Sequence, residues 1–375
     1  PPRSTLFPYT TLFRSRFPCL EKDSLPLIKR LISSKISEKN KMIFYYLMGD
    51  SYFNYSDYDM CLESFYGSLE ISQKLDYFLF GSKVCLRMAE VYLFLGNCKK
   101  SIKMFLNGKK LRHGHIWPII RSYEHFIEGK IFEHSLNFKK SLKHYKLALA
   151  FTKKSCCKSI KIFTILSISK ILARKNYVKS CSYMQKLESL QIKSLNEQIA
   201  IDITKIFIDI LSENHTKETL ELLVNLDKIL SSCSYREYFW QVEYLKSLYF
   251  RLSGDIEKGI EYLKVSQKII EENCTKLSLE TRKQYLERFD IKEVIEAVSV
   301  LTSDINIDSN KDKQFLLKSP SYEGYILDLE NSKKDEEYSE IVKFRKLLDI
   351  NKILNTERNL HKLLDIIMEI GRAHG

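Results

Sequence analysis

The sequence predicts an all-α chain assembled from stacked antiparallel helical hairpins, an α-solenoid. Three observations predict it. A pattern of small and aromatic residues recurs every 40 residues, residues 119–318 contain no proline, and apolar residues make up 44% of the chain. That apolar share suits a folded core rather than a disordered chain. The proline-free stretch leaves long helices uninterrupted and argues against a sandwich with many turns.

The first element stands apart. TLFPYTTLFRS (Thr5–Ser15) back-translates into a run resembling a short-read sequencing adapter, and Ile370–His374 resembles the adapter at the other end of such a library. Residues 1–15 and 370–375 are therefore expected to be artefacts outside the fold, as a tag would be. The gene product is then expected to be cut at both ends. Leu27–Ile36 is expected to be the second helix of a unit whose first helix is missing.

Three registered units follow. Gly49 and Tyr52 precede Cys61, Phe65 and Ser68; Ala89 and Tyr92 precede Ser101, Phe105 and Gly108; Gly129 and Phe132 precede Ser141, Tyr145 and Ala148. Each unit has a small residue, an aromatic three later, then small, aromatic and small residues at offsets of 12, 16 and 19. These residues resemble the tetratricopeptide (TPR) pattern. The resemblance implies small residues where helices A and B of a hairpin cross, and aromatics filling holes between successive hairpins. The 40-residue spacing resembles the longer-period TPR regions of MalT-like transcription activators, and implies a right-handed superhelix. Turns are expected at Phe53–Asp59, Leu95–Lys100 and His134–Lys140, with Gly or Asn ending the first helix.

The pattern then weakens. Asn176, Ser180 and Met184 mark a fourth unit, and two amphipathic helices without the small-residue signature run from Asn196 to Leu230, split near Ser212–Glu218. A sixth unit carries Ser247, Phe250, Gly254, Gly259, Leu263 and Ser266. Lys276–Leu301 is expected to cap the end of the stack, closing an array over 16–301. Residues 302–338 read as a polar linker. Apolar stripes at Ile341, Phe344, Leu348 and Leu354, and at Leu360, Leu363, Leu364 and Ile367, make 339–369 a signalling helix followed by a segment that resembles the first helix of a GAF sensor domain.

Charge, cysteine and histidine content narrow the chemistry. The formal charge of +13 is spread as lysine along the whole chain, so no direct nucleic-acid role is expected. Nine cysteines without CxxC pairs suit a reduced cytoplasm, and no run of eighteen apolar residues occurs. His113, His115, His125, His134 and His144 form the one dense histidine group, but the last three are expected on different faces of a hairpin, so no metal is expected. No phosphate loop, kinase loop, HExxH or GxSxG motif occurs, and the carboxylates are expected on solvated faces. No cofactor and no catalysis are expected.

A TPR-like array implies a binding groove along its A helices. In the 40-residue register that groove would be lined by Tyr46, Asp50 and Phe53, then Leu86, Glu90 and Leu93. Further along it would carry Phe126, Lys130 and Glu133, then Tyr244 and Arg251. The alternative expectation is that several of these aromatics simply pack within the groove. The order of parts resembles the middle of large bacterial signalling proteins, in which a GAF domain and a sigma-54-type ATPase, histidine kinase or cyclase follow the TPRs. The chain is therefore expected to be a non-catalytic interaction and relay segment of a cytoplasmic bacterial regulator. Its partner would be a protein, a peptide or another part of the same full-length chain, with a dimer forming through the 339–354 helix. A stand-alone TPR scaffold or chaperone-type adaptor, and the linker of a kinase, stay open as alternatives.

Overall fold

The computed structural model describes residues 24–303 apart from 113, 115–116, 154–156, 175, 193, 213–215 and 233–234. The expectations for 1–15, for the linker beyond Ser303, for 339–369 and for 370–375 lie outside the described residues. Those residues form fifteen helices and no strand, so the fold is all-α and solenoid-like. Helix α1 (Ser24–Ser33) packs on the first hairpin, α2 (Glu38–Asn54) with α3 (Tyr58–Lys74). Three more hairpins follow: α4 (Phe78–Phe94) with α5 (Cys98–Leu111), α6 (Pro118–His134) with α7 (Phe138–Thr152), and α8 (Lys158–Ala173) with α9 (Tyr177–Gln185). Helices α10 (Leu195–Leu211) and α11 (Lys217–Ser231) share a core of Ile199, Ile206, Leu223 and Leu226 with α12 (Arg236–Leu252). Helix α12 in turn pairs tightly with α13 (Ile256–Cys274), before α14 (Leu279–Leu286) and α15 (Phe289–Ser303). Two 17-residue helices and two three-residue connections account for the period of the first unit.

The small residues stand where two backbones meet. A Cβ at Gly49 would lie 2.6 Å from the Phe65 ring, and one at Gly129 would lie 2.4 Å from the Tyr145 ring. In the second unit the carbonyl of buried Ala89 accepts from Ser101 Oγ at 2.8 Å. In the sixth, a Cβ at Gly259 would come within 3.1 Å of the Ser247 carbonyl. A second crossing lies seven residues earlier on the first helix. There Ser68 Oγ donates to the Met42 carbonyl at 2.8 Å, and Ser266 Oγ to the Trp240 carbonyl at 2.9 Å. Gly108 fills the matching place in the second unit, 3.1 Å from the Ser82 carbonyl if it carried a Cβ. Serine and glycine serve alike because both let the backbones approach, and serine also satisfies a buried carbonyl. In the fourth unit Ser180 Oγ reaches the Ser169 carbonyl at 2.8 Å, one residue earlier in the register.

Two expectations are corrected. The aromatics at offset 16, Phe65 and Tyr145, lie over the small residue of their own hairpin, while contact with the next hairpin falls to pairs such as Tyr46 and Phe80, 5.6 Å between ring centres. The asparagines of the turns begin the second helix instead of ending the first. Asp57, Asn97, Asn137 and Asp255 are N-caps that accept from the amides of Met60, Lys100, Lys140 and Lys258. The residue before each cap, Ser56, Gly96, Leu136 or Gly254, has positive φ and closes the first helix with the paired hydrogen bonds of a Schellman turn. Among these four turn residues only Gly96 is also demanded by space, since a Cβ would meet the Gln284 carbonyl at 2.2 Å.

Gly129→Ala should therefore lower stability by about 1–3 kcal/mol, because the buried Tyr145 ring has no room to retreat. Gly114→Ala, whose Cβ would meet nothing within 4 Å, should cost only about 1 kcal/mol of backbone strain. Urea unfolding of the two variants separates the terms, and a Gly129→Ala chain no weaker than Gly114→Ala would contradict the crossing.

Candidate interaction site along the first helices

The first helix of each hairpin presents residues four and three apart on one face, so the predicted row is set by helical periodicity. The side chains of that row are engaged by neighbouring side chains of the stack. Arg87, which the register did not single out, donates from Nε to Asp50 at 2.8 Å and from Nη1 to Glu90 at 2.5 Å, while its guanidinium lies over the Phe53 ring. Tyr123 completes the chain by donating to Glu90 at 2.7 Å. Three successive hairpins are thus linked through Asp50, Arg87, Glu90 and Tyr123. Leu86, Leu93 and Phe126 are fully buried, and Tyr46 packs between Phe65 and Phe80. Lys130 lies over Phe126, and Tyr145 donates to Glu133. Arg251 is buried, with its stem in the space left by Gly259. Tyr244 donates to Glu293 on α15 at 3.0 Å.

That bond belongs to a larger contact. Helix α15 packs on α13, as a capping helix would, and the segment around 284–290 also reaches the early hairpins through Asn97 and the Phe94 carbonyl. The centre is Arg288, only 5% exposed. Its Nη1 donates to Glu237 at 2.8 Å and to the Phe94 carbonyl at 3.0 Å, and it pairs with Asp290 at 2.6 Å through Nη2. The guanidinium lies 4.4 Å from the centre of the Phe94 ring, which packs edge-on against Phe53 and tilted against Tyr58. Tyr285 donates to Glu237 at 2.8 Å, Tyr58 does so at 3.4 Å, and Asn97 donates to Gln284 at 2.9 Å. Hairpin one, the end of α4, the start of α12 and the 284–290 segment therefore meet at one buried cluster. The register contained no signal for it, because Glu237 and Arg288 lie outside the repeated positions.

Burial governs the electrostatics here. It raises the Glu237 carboxyl above its ordinary value, an effect that Arg288 and Tyr285 offset only in part. Burial would raise Asp290 too, but Arg288 beside it more than compensates and holds that carboxyl low. Burial also raises the phenols of Tyr58 and Tyr285, and the adjacent Glu237 adds to it. Beside the row, burial lowers the Lys83 ammonium to about 8, with Nζ 4.2 Å from the centre of the Tyr46 ring.

The histidine expectation is corrected in part. His113 and His115 lie outside the described residues. His134 is half-buried beside Cys98, 3.7 Å from its Sγ. His125 and His144, however, face one another across the third hairpin, and their Nδ1 atoms lie 3.1 and 2.9 Å from the same Glu128 oxygen. The carboxylates are likewise not all solvated. Glu124 is buried between Arg112 and Arg121, each 2.7 Å away. No described helix is long and apolar enough to cross a membrane. No protein-family model and no curated protein sequence matches the chain.

Arg288→Met should destabilise the chain by about 3–5 kcal/mol, since it leaves Glu237 buried without its cation. Adding Glu237→Gln should recover part of that loss in a double-mutant cycle read by urea unfolding; additive losses would contradict the pairing. Lys83 makes a separate prediction. Between pH 8 and pH 10.5 this lysine binds more protons in the unfolded chain than in the folded one, so its own contribution to stability should rise with pH across that window. The rise should be about 1–3 kcal/mol and should be missing from Lys83→Met when the two chains are melted side by side.

Proposed function

We propose that residues 24–303 are a TPR-type interaction array, and that the chain is the non-catalytic interaction and relay segment of a bacterial cytoplasmic regulator. The observation that carries the reading is the contact of 284–290 with the ends of first helices α4 and α12 and with the turn at Gly96–Asn97. The end of α14 and the turn after it are held there by Arg288 and Tyr285 on Glu237, and by Gln284 on Asn97. The same face would accept a helix from a partner, by the groove mode in which a few anchors carry the affinity. In this reading 276–303 is an internal occupant, and a partner competes with it or pulls on it. Release would alter the helix proposed for 339–354, which leads into the GAF-like segment; both rest on the sequence alone. Support for the TPR assignment comes from the small-residue crossings at Gly49, Ala89, Gly129 and Ser247, together with the capped turn at each of these hairpins. The lack of any recognised catalytic motif favours binding over chemistry.

A labelled peptide spanning residues 276–303 tests the reading. Arg288→Glu sets two carboxylates beside the new one and should free the face. The peptide is then expected to bind the full Arg288→Glu chain in a fluorescence-anisotropy titration and not the parent, whose face is filled. If a helical, folded Arg288→Glu chain does not take up the peptide, the face is a structural junction and the binding reading fails.

A further inference from the structure

We infer that the third hairpin holds a divalent transition-metal ion on His125, Glu128 and His144. His125 and Glu128 stand one turn apart on α6, and His144 faces them from α7. One donor atom from each lies within 4.8 Å of the other two, and all three residues are buried. Such convergence across a hairpin is unusual for ionisable groups, which bury only when paired or ligated.

The arrangement is more than a shared hydrogen bond. His125 Nδ1 bonds Glu128 Oε2 at 3.1 Å. His144, only 4% exposed, brings its Nδ1 to 2.9 Å from the same oxygen, so two ring nitrogens from different helices converge on one carboxylate oxygen. A tetrahedral ion with ligands at about 2.0–2.1 Å separates them by about 3.3 Å, so small side-chain rotations open the place it needs. The rings are already oriented: Phe151 stacks on His125 at 5.5 Å, and Phe132 lies against His144 at 5.2 Å.

The donor set names the class of ion. Two imidazoles and one carboxylate suit Zn²⁺, Co²⁺ or Ni²⁺, whereas Ca²⁺ and Mg²⁺ take oxygen donors. The ion would tie α6 to α7, with its fourth position left to water. Lys109 of α5 reaches the other Glu128 oxygen at 3.4 Å. Its charge opposes the cation. The inference stands independently of the interaction reading, because none of these residues belongs to the Arg288 cluster.

Co²⁺ serves as the probe, since ligation by histidine gives visible d–d absorption, and Zn²⁺ then displaces it. Titration of the full chain is expected to give saturable bands at one ion per chain. His125→Ala and His144→Asn should each abolish them, whereas His134→Asn should not. Lys109→Gln, which removes a positive charge beside the cation at a partly exposed residue outside the ligand set, should tighten binding about tenfold, which a misfolded chain would not do. No bands in either the parent or Lys109→Gln overturns the site. So do bands that survive loss of either histidine, or an affinity that Lys109→Gln leaves unchanged or weakens.

Discussion

The array depends on how closely two helices can approach at one residue. Where Gly49 and Gly129 stand, the partner helix lays an aromatic ring against the backbone at a distance no Cβ allows. Once that contact is set, much else follows. The second helix must begin a fixed distance on, which places an Asp or Asn cap after a residue of positive φ. The next first helix must then start where the previous hairpin has left an apolar face. Helices of this length are marginal in water by themselves, so tertiary packing at the crossings supplies most of their stability.

The Arg288 cluster imposes a second constraint of a different kind. A buried guanidinium is tolerable only when its donors are satisfied, and here Glu237, Asp290 and the Phe94 carbonyl do so together. Its partners come from elements far apart in sequence, so the cluster can form only after the hairpins have stacked with the right curvature. Local crossings thus fix each unit, whereas the cluster checks the sum of them. Burial of Glu237 keeps its carboxyl raised even with Arg288 beside it, which makes the junction intolerant of a poorly placed cation.

The division also explains what could be seen beforehand. Gly49, Ala89, Gly129 and Ser247 were legible because a crossing needs a small side chain and the register repeats. The helices at 195–211 and 217–231 were legible from amphipathic stripes alone. The asparagines of the turns were visible, but a composition signal does not say which helix an Asn serves; only the accepted amide does. Arg87 and Arg288 were hidden because a lysine-rich chain gives no reason to single out one cation. His125 and His144 were noticed, yet their common facing depends on the rotation of α7 against α6, which the register of the small residues fixes and their own spacing does not reveal. The register set the expected groove residues in one row. How far they bind one another was not visible, since Asp50 and Glu90 read as solvated acids until Arg87 is set between them.

Stacked hairpins joined only to their neighbours behave as a spring, each junction opening a little under load. The tie between Tyr58, Phe94, Glu237 and Arg288 changes that mechanics. Hairpins one and six are bridged directly, so tension applied near the two ends of this array would be carried first by the bridge and only afterwards by the coils between. Extension would then begin with a single yield rather than a gradual give.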